Sequence, residues 1–212
     1  PGAAMAQQDP HHSQYLFNGL STNPAYAGSR GTLSGMFFYR NQWTGFNSAY
    51  RTYAVFYEQS LPRYRSGIGF NVEGDNAGNG IYKTNRFAAV FAYRLPVAEK
   101  FAIKLGVEAG VHQTSLNWDL LTFPDQIDPL NGITINTAEL RPDLTNTSRL
   151  DISAGMMLLS KRWYFGGALK HLNTPSEGIL LTNENVSRGL PLRYTLHGGT
   201  EIVIVPGNKR RE

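Results

Sequence analysis

The stretch FAIKLGVEAGVH, residues 101–112, alternates with a period of two. Phe101, Ile103, Leu105, Val107, Ala109 and Val111 fall on one face, and Ala102, Lys104, Gly106, Glu108, Gly110 and His112 on the other. A helix would scatter Lys104 and Glu108 among the apolar residues, so the segment predicts a β-strand. The composition of its polar face narrows the choice further. A solvated exterior seldom combines glycine and alanine with isolated charges. A crowded polar interior does, because small residues leave room for long charged ones to pair across it.

The same alternation recurs outward from this segment. Ile68, Phe70 and Val72 alternate with Gly69, Asn71 and Glu73. Phe87, Ala89, Phe91, Tyr93 and Leu95 alternate with Arg86, Ala88, Val90, Ala92 and Arg94, and a similar run spans 192–204. Further strands are expected near 33–40, 49–60, 149–160 and 162–171, roughly eight in all by the period-two criterion, with no amphipathic helix. Short turns fall at 62–65, 96–99 and 160–162, and long polar excursions at 74–81, 118–148 and 172–189. Short turns on one side and long loops on the other predict an all-β, antiparallel up-and-down transmembrane β-barrel of the outer-membrane type. Periodicity by itself also allows a soluble β-sandwich with aromatic edges. In the barrel, Tyr93, Trp118, Trp163 and Tyr164 near strand ends would supply interfacial aromatic girdles.

Composition agrees with a sheet-rich chain. Of 212 residues 12% are aromatic, 22 are glycine and only 17% are charged. There is no cysteine, hence no disulfide, thiolate metal site or cysteine nucleophile. The net charge is +4 with cations scattered along the chain, not the clustered footprint of a nucleic-acid binder. No segment approaches the run of about 20 apolar residues needed for a membrane-spanning helix.

Candidate chemical motifs are weak. His11-His12 are adjacent and have no cysteine beside them, so a solvated tail is the reading. Asp75–Gly80 resembles a calcium loop but has alanine at its third position and no closing glutamate, so it predicts a turn. No G-x-S-x-G elbow positions a serine nucleophile. No catalytic, cofactor-binding or metal-binding residue is assigned. Arg40-Asn41-Gln42-Trp43-Thr44-Gly45 reads either as a cation–π corner or as a girdle residue beside a charge. Ala4-Met5-Ala6 before Gln7 reads as the end of an export signal, giving a remnant at 1–6.

The order of motifs at the start of the chain resembles the PorP/SprF family, outer-membrane β-barrel components of the type IX secretion system of Bacteroidota. The resemblance is carried by Gln8-Asp9-Pro10, Ser13-Gln14-Tyr15, Phe17-Asn18, Asn23-Pro24-Ala25-Tyr26-Ala27-Gly28-Ser29 and then Arg40, Gln42, Trp43 and Gly45. Weaker matches extend it, among them Gly67-Ile68-Gly69, Asp128-Pro129, Pro142-Asp143 and His171-Leu172. It implies a non-catalytic role in protein secretion, cargo attachment at the surface or gliding motility. The partners implied are outer-membrane lipid, periplasmic ring or peptidoglycan-associated components, and a large secreted cargo protein. The alternative is a passive outer-membrane porin, which the lumenal charges permit. A membrane hydrolase is a more distant rival. Against the family's pattern the chain is short and lacks a terminal aromatic strand, which implies a C-terminally incomplete barrel. The expected organisation is a signal-peptide remnant at 1–6, a periplasmic or lumenal segment at 7–31 and a barrel at 32–212. In the segment, Tyr15, Phe17 and Tyr26 would pin the chain to the barrel wall and Asn23-Pro24 would bend it.

Overall fold

The structure, a computed structural model, describes residues 17–45, 50–128, 130, 132–133, 137–142, 145–175 and 190–202. In chain order the strands are β1 (Ser34–Gln42), β2 (Tyr50–Leu61), β3 (Ser66–Ala77), β4 (Tyr82–Ala98), β5 (Phe101–Leu116), β6 (Ile127–Asp128), β7 (Gly132–Ile133), β8 (Asn146–Ser160), β9 (Trp163–Lys170) and β10 (Arg193–Thr200). β6 and β7 form a small separate hairpin, and the other eight make one antiparallel sheet in sequential order. That sheet curls into a half-barrel, an open up-and-down β-barrel. The predicted eight strands and their meander topology are therefore observed. Among the described residues β1 pairs only with β2, and β10 only with β9.

The strands β4, β5 and β10 are amphipathic in the sense opposite to a soluble protein. On β5 the apolar residues Phe101, Leu105, Val107 and Val111 are exposed, while Ala102, Lys104, Gly106 and Glu108 are buried on the concave side. β4 repeats this, with Phe87, Phe91 and Tyr93 outside and Arg86, Ala88, Val90 and Ala92 inside. β10 turns Tyr194 and Leu196 outward, at 71% and 77% exposure. In water such an apolar belt would be a severe liability, and in lipid it is the required surface. The barrel reading holds and the sandwich does not.

Connections differ at the two ends. The turn after β2 is a 3-10 turn over Pro62–Tyr64, closed by Arg65 in the left-handed region at φ 51°. The turns after β4 and β8 leave two residues each, Glu99-Lys100 and Lys161-Arg162. At the other end, 117–145 and 171–192 are the long connections. The excursion expected at 74–81 is corrected. Asp75 and Asn76 stay in register with both β2 and β4, and the Thr52 hydroxyl donates to Asp75 Oδ1 at 2.6 Å. Only 78–81 links β3 to β4, a tight turn in which Gly78, Asn79 and Gly80 all have positive φ.

Aromatic rings mark the edges of the apolar belt. Tyr64, Tyr93, Phe101 and Trp163 are exposed at the short-turn end, the last two with ring centroids 5.9 Å apart. Tyr164, expected in a girdle, instead lies on the concave side against Tyr26 and His197, because its parity is that of the inward-facing Gly166, Ala168 and Lys170.

Candidate functional site

The concave face is occupied by the chain's own N-terminal segment. Asn18 caps a single helical turn, α1 (Gly19–Thr22), its side chain accepting the Ser21 N–H at 3.3 Å. That turn was not expected from the sequence, where the Asn, Pro, Gly and Ser content argues against helix. It passes directly into a 3-10 turn at Pro24–Tyr26, where Pro24 begins the turn and Asn23 caps it. Asn23 Oδ1 accepts the Ala25 N–H at 2.8 Å, which fixes the orientation of its amide. The Asn23 Nδ2 group then donates to Met156 O (3.2 Å) on β8 and Gly167 O (3.1 Å) on β9, and lies 3.0 Å from His197 Nε2 on β10. One asparagine thus ties the segment to three strands. The bend expected at Asn23-Pro24 is observed, and both residues are buried.

Tyr26 completes the attachment. Its ring stacks on His197 with centroids 5.1 Å apart, meets Tyr164 edge-on at 6.2 Å, and its hydroxyl lies 3.2 Å from His197 Nδ1. Burial first, and the neighbouring Tyr164 second, raise its pKa well above the ordinary tyrosine value, so it stays a neutral hydrogen-bonding group. Ala27 and Leu20 pack with Ala54, Phe56, Val90 and Ala92 in a compact apolar cluster. Lys104 donates to Ala27 O (2.6 Å) and Ser29 Oγ (2.8 Å), and Glu58 accepts the Gly28 N–H (3.0 Å) while pairing with Arg30 (3.2 Å).

The wall is shaped for this contact. A Cβ added at Gly67 would run into the Ala27 carbonyl, one at Gly106 into the Pro24–Ala25 backbone, and one at Gly155 into the Asn23 side chain. These glycines let the segment approach the wall closely, and Gly67 and Gly106 are among the small residues that make the polar face of the strands unlike a solvated surface.

Further along the concave face lies a buried ion network. The Arg86 guanidinium meets Asp151 (Nε to Oδ2, 3.1 Å), Glu73 (3.6 Å) and Glu108. Lys170 lies 3.7 Å from Glu108, His171 Nδ1 lies 3.0 Å from Asp151, and Asn71 donates to Glu108 Oε2 at 3.1 Å. The charges come from β3, β4, β5, β8 and β9, so the network links five strands across the concave face, as the pattern of isolated charges among small residues predicts.

Not every predicted site residue joins this assembly. Asn23, Pro24, Ala25, Tyr26 and Gly28 do. Phe17 does not, and its role as an anchor is corrected. It is 65% exposed, and what it contributes is its carbonyl, which accepts from Arg30. Gln8, Asp9, Pro10, Ser13, Gln14 and Tyr15, with the 1–6 remnant and His11-His12, lie outside the described residues. Arg40 and Gln42 lie on the same side of β1 as Met36 and Phe38, whereas Trp43 is exposed beyond the strand and meets Tyr50 edge-on at 5.6 Å. His197, Tyr164, Gly67, Gly106 and Gly155 were missed as members of the site. The parity of their strands was visible in the sequence, but the element that would press on them was not.

An outward apolar belt, aromatic rings at its edges, a polar concave wall and an inserted segment define an integral membrane protein of the β-barrel class. The chain matches the family model described as type IX secretion system membrane protein PorP/SprF over residues 4–209. It belongs to that family, and is a membrane component of the type IX secretion system. No curated protein and no solved structure matches the chain.

Proposed function

We propose that this chain is a non-catalytic outer-membrane component of type IX secretion, acting as a scaffold that holds other proteins at the membrane. The observation that carries this reading is the filled concave face. A passive porin needs a water-lined path, and here the wall is covered by residues 18–29 and crossed by the Arg86 network. Its partners are periplasmic ring or peptidoglycan-associated proteins on one side and a large secreted cargo protein on the other, in surface attachment or gliding. The lumenal segment 7–31 and the Arg40–Trp43 edge of β1 are the surfaces we assign to structure and partner contact.

Affinity purification of the tagged full-length protein from its own membranes, with mass spectrometry of co-eluting proteins, tests the proposal. Recovery of ring components or one large secreted protein is expected. A barrel that conducts ions in planar bilayers and returns no partner would contradict it and favour the porin.

A further inference from the structure

The cations that look scattered along the chain are gathered by the fold. All three short hairpin turns project from one end of the sheet, and they carry Arg63 and Arg65, Lys100, and Lys161 with Arg162. Among the described residues, the exposed acids at this end are Glu99 in the second turn and Glu201, whose N–H donates to Arg162 O at 2.7 Å, so the cations outnumber them. All five cations are exposed, and among the described residues none of them makes an ion pair. The opposite end differs. There acids and bases are mixed, Arg51, Lys83 and Arg149 with Asp119, Asp125, Asp128 and Glu139, and some are engaged: Asp119 pairs with Arg141 at 3.2 Å, and Asp125 and Asp128 accept from Ala138 and Leu130.

The position of the five cations relative to the apolar belt identifies what they meet. Exposed aromatic rings adjoin them in every turn: Tyr64 lies between Arg63 and Arg65, Phe101 follows Lys100, and Trp163 follows Arg162. Tyr93 stands in register with Ser66, beside the first turn. Such rings settle at headgroup depth, so the cations adjoining them sit at the level of lipid phosphates.

We propose that the three short turns form a binding surface for anionic phospholipid headgroups of the facing leaflet. This rests on the membrane-barrel class of the fold and not on the secretion role. Unpaired cations at the interface attract anionic lipid electrostatically, each favouring association by about fivefold near the surface and less as salt screens it.

The test is native mass spectrometry of the full chain in detergent with equal amounts of phosphatidylglycerol and phosphatidylcholine. Wild type should retain phosphatidylglycerol preferentially, and the preference should shrink in high salt. The variant Arg63→Gln/Arg65→Gln/Lys161→Gln/Arg162→Gln should lose it, while Arg51→Gln/Lys83→Gln at the opposite end should keep it. Compact migration of unboiled samples confirms that each variant is folded. Equal retention of both lipids by wild type, or undiminished preference in the quadruple variant, would overturn the proposal. So would loss of a co-purifying acidic protein from the quadruple variant with lipid retention unchanged, which would assign the surface to a protein partner.

Discussion

Asn23 Nδ2 reaches groups on three different strands, donating to Met156 O and Gly167 O and lying 3.0 Å from His197 Nε2. With the amide fixed by the Ala25 N–H, its nitrogen must face the two carbonyls as a donor. Asn23→Ala removes the hydrogen bonds donated to the Met156 and Gly167 carbonyls and the cap on Ala25, and should lower stability by about 1–3 kcal/mol. A shift of unfolding to lower temperature, followed as loss of compact unboiled migration, is the expected reading. Steric fit gives a second residue-scale prediction. Gly67→Ala and Gly155→Ala insert a methyl where Ala27 and Asn23 already sit, and should destabilise or eject the segment. Gly35→Ala, with nothing within 4 Å of its added Cβ, should be tolerated, and thermal unfolding of the three variants side by side checks this. The segment's bend was legible in Asn23-Pro24, because few dipeptides so restrict the backbone. The failure at Phe17 is also physical: an aromatic in a polar segment announces burial somewhere, but does not say which aromatic faces the wall.

At the scale of elements, the strands were legible because their alternation is long and strict, and because Gly and Ala among charges mark a face that is neither core nor solvated surface. The end of β3 was misread because Asp75 and Asn76 are turn-prone residues, yet ladder pairing on both sides and the Thr52 bond outweigh that preference. Arg86 is the hub of the interior charges. Arg86→Met leaves Glu73, Glu108 and Asp151 short of a counter-charge, and should cost about 3–5 kcal/mol. Guanidinium unfolding of the detergent-solubilised protein measures it. In the long connection, Asp125 accepts the Ala138 N–H at 2.7 Å and the Thr137 hydroxyl at 2.9 Å, bonds that hold its carboxyl below the ordinary aspartate range, the backbone bond most of all. A depressed folded-state pKa supports the loop at pH above the unfolded value, and that support is lost as pH falls through the folded one. Proteolysis within 117–145 should therefore accelerate only in strong acid, and Asp125→Asn should reproduce the acceleration at neutral pH. Unchanged cleavage in that variant would refute the clamp.

For the whole molecule, the account is that an inside-out sheet wraps its own N-terminal segment. The two halves of that statement were unequally legible. Outward apolar faces follow from parity alone, whereas docking of 18–29 on β4, β5 and β8 depends on contacts more than a hundred residues apart, such as Asn23 with Gly167, which no local pattern encodes. The same holds for the basic end, whose three turns are distant in sequence and share one end only once the hairpins pair. The most direct test is hydrogen exchange by mass spectrometry on the intact protein in lipid nanodiscs. The amides of Ser21, Asn23, Ala25, Tyr26, Ala27, Gly28 and Ser29 are all bonded, so a peptide spanning 19–29 should exchange as slowly as the β4 and β5 peptides. Exchange of that peptide as fast as the exposed loop around Leu140 would mean the segment does not occupy the concave face, and the scaffold account would fall with it.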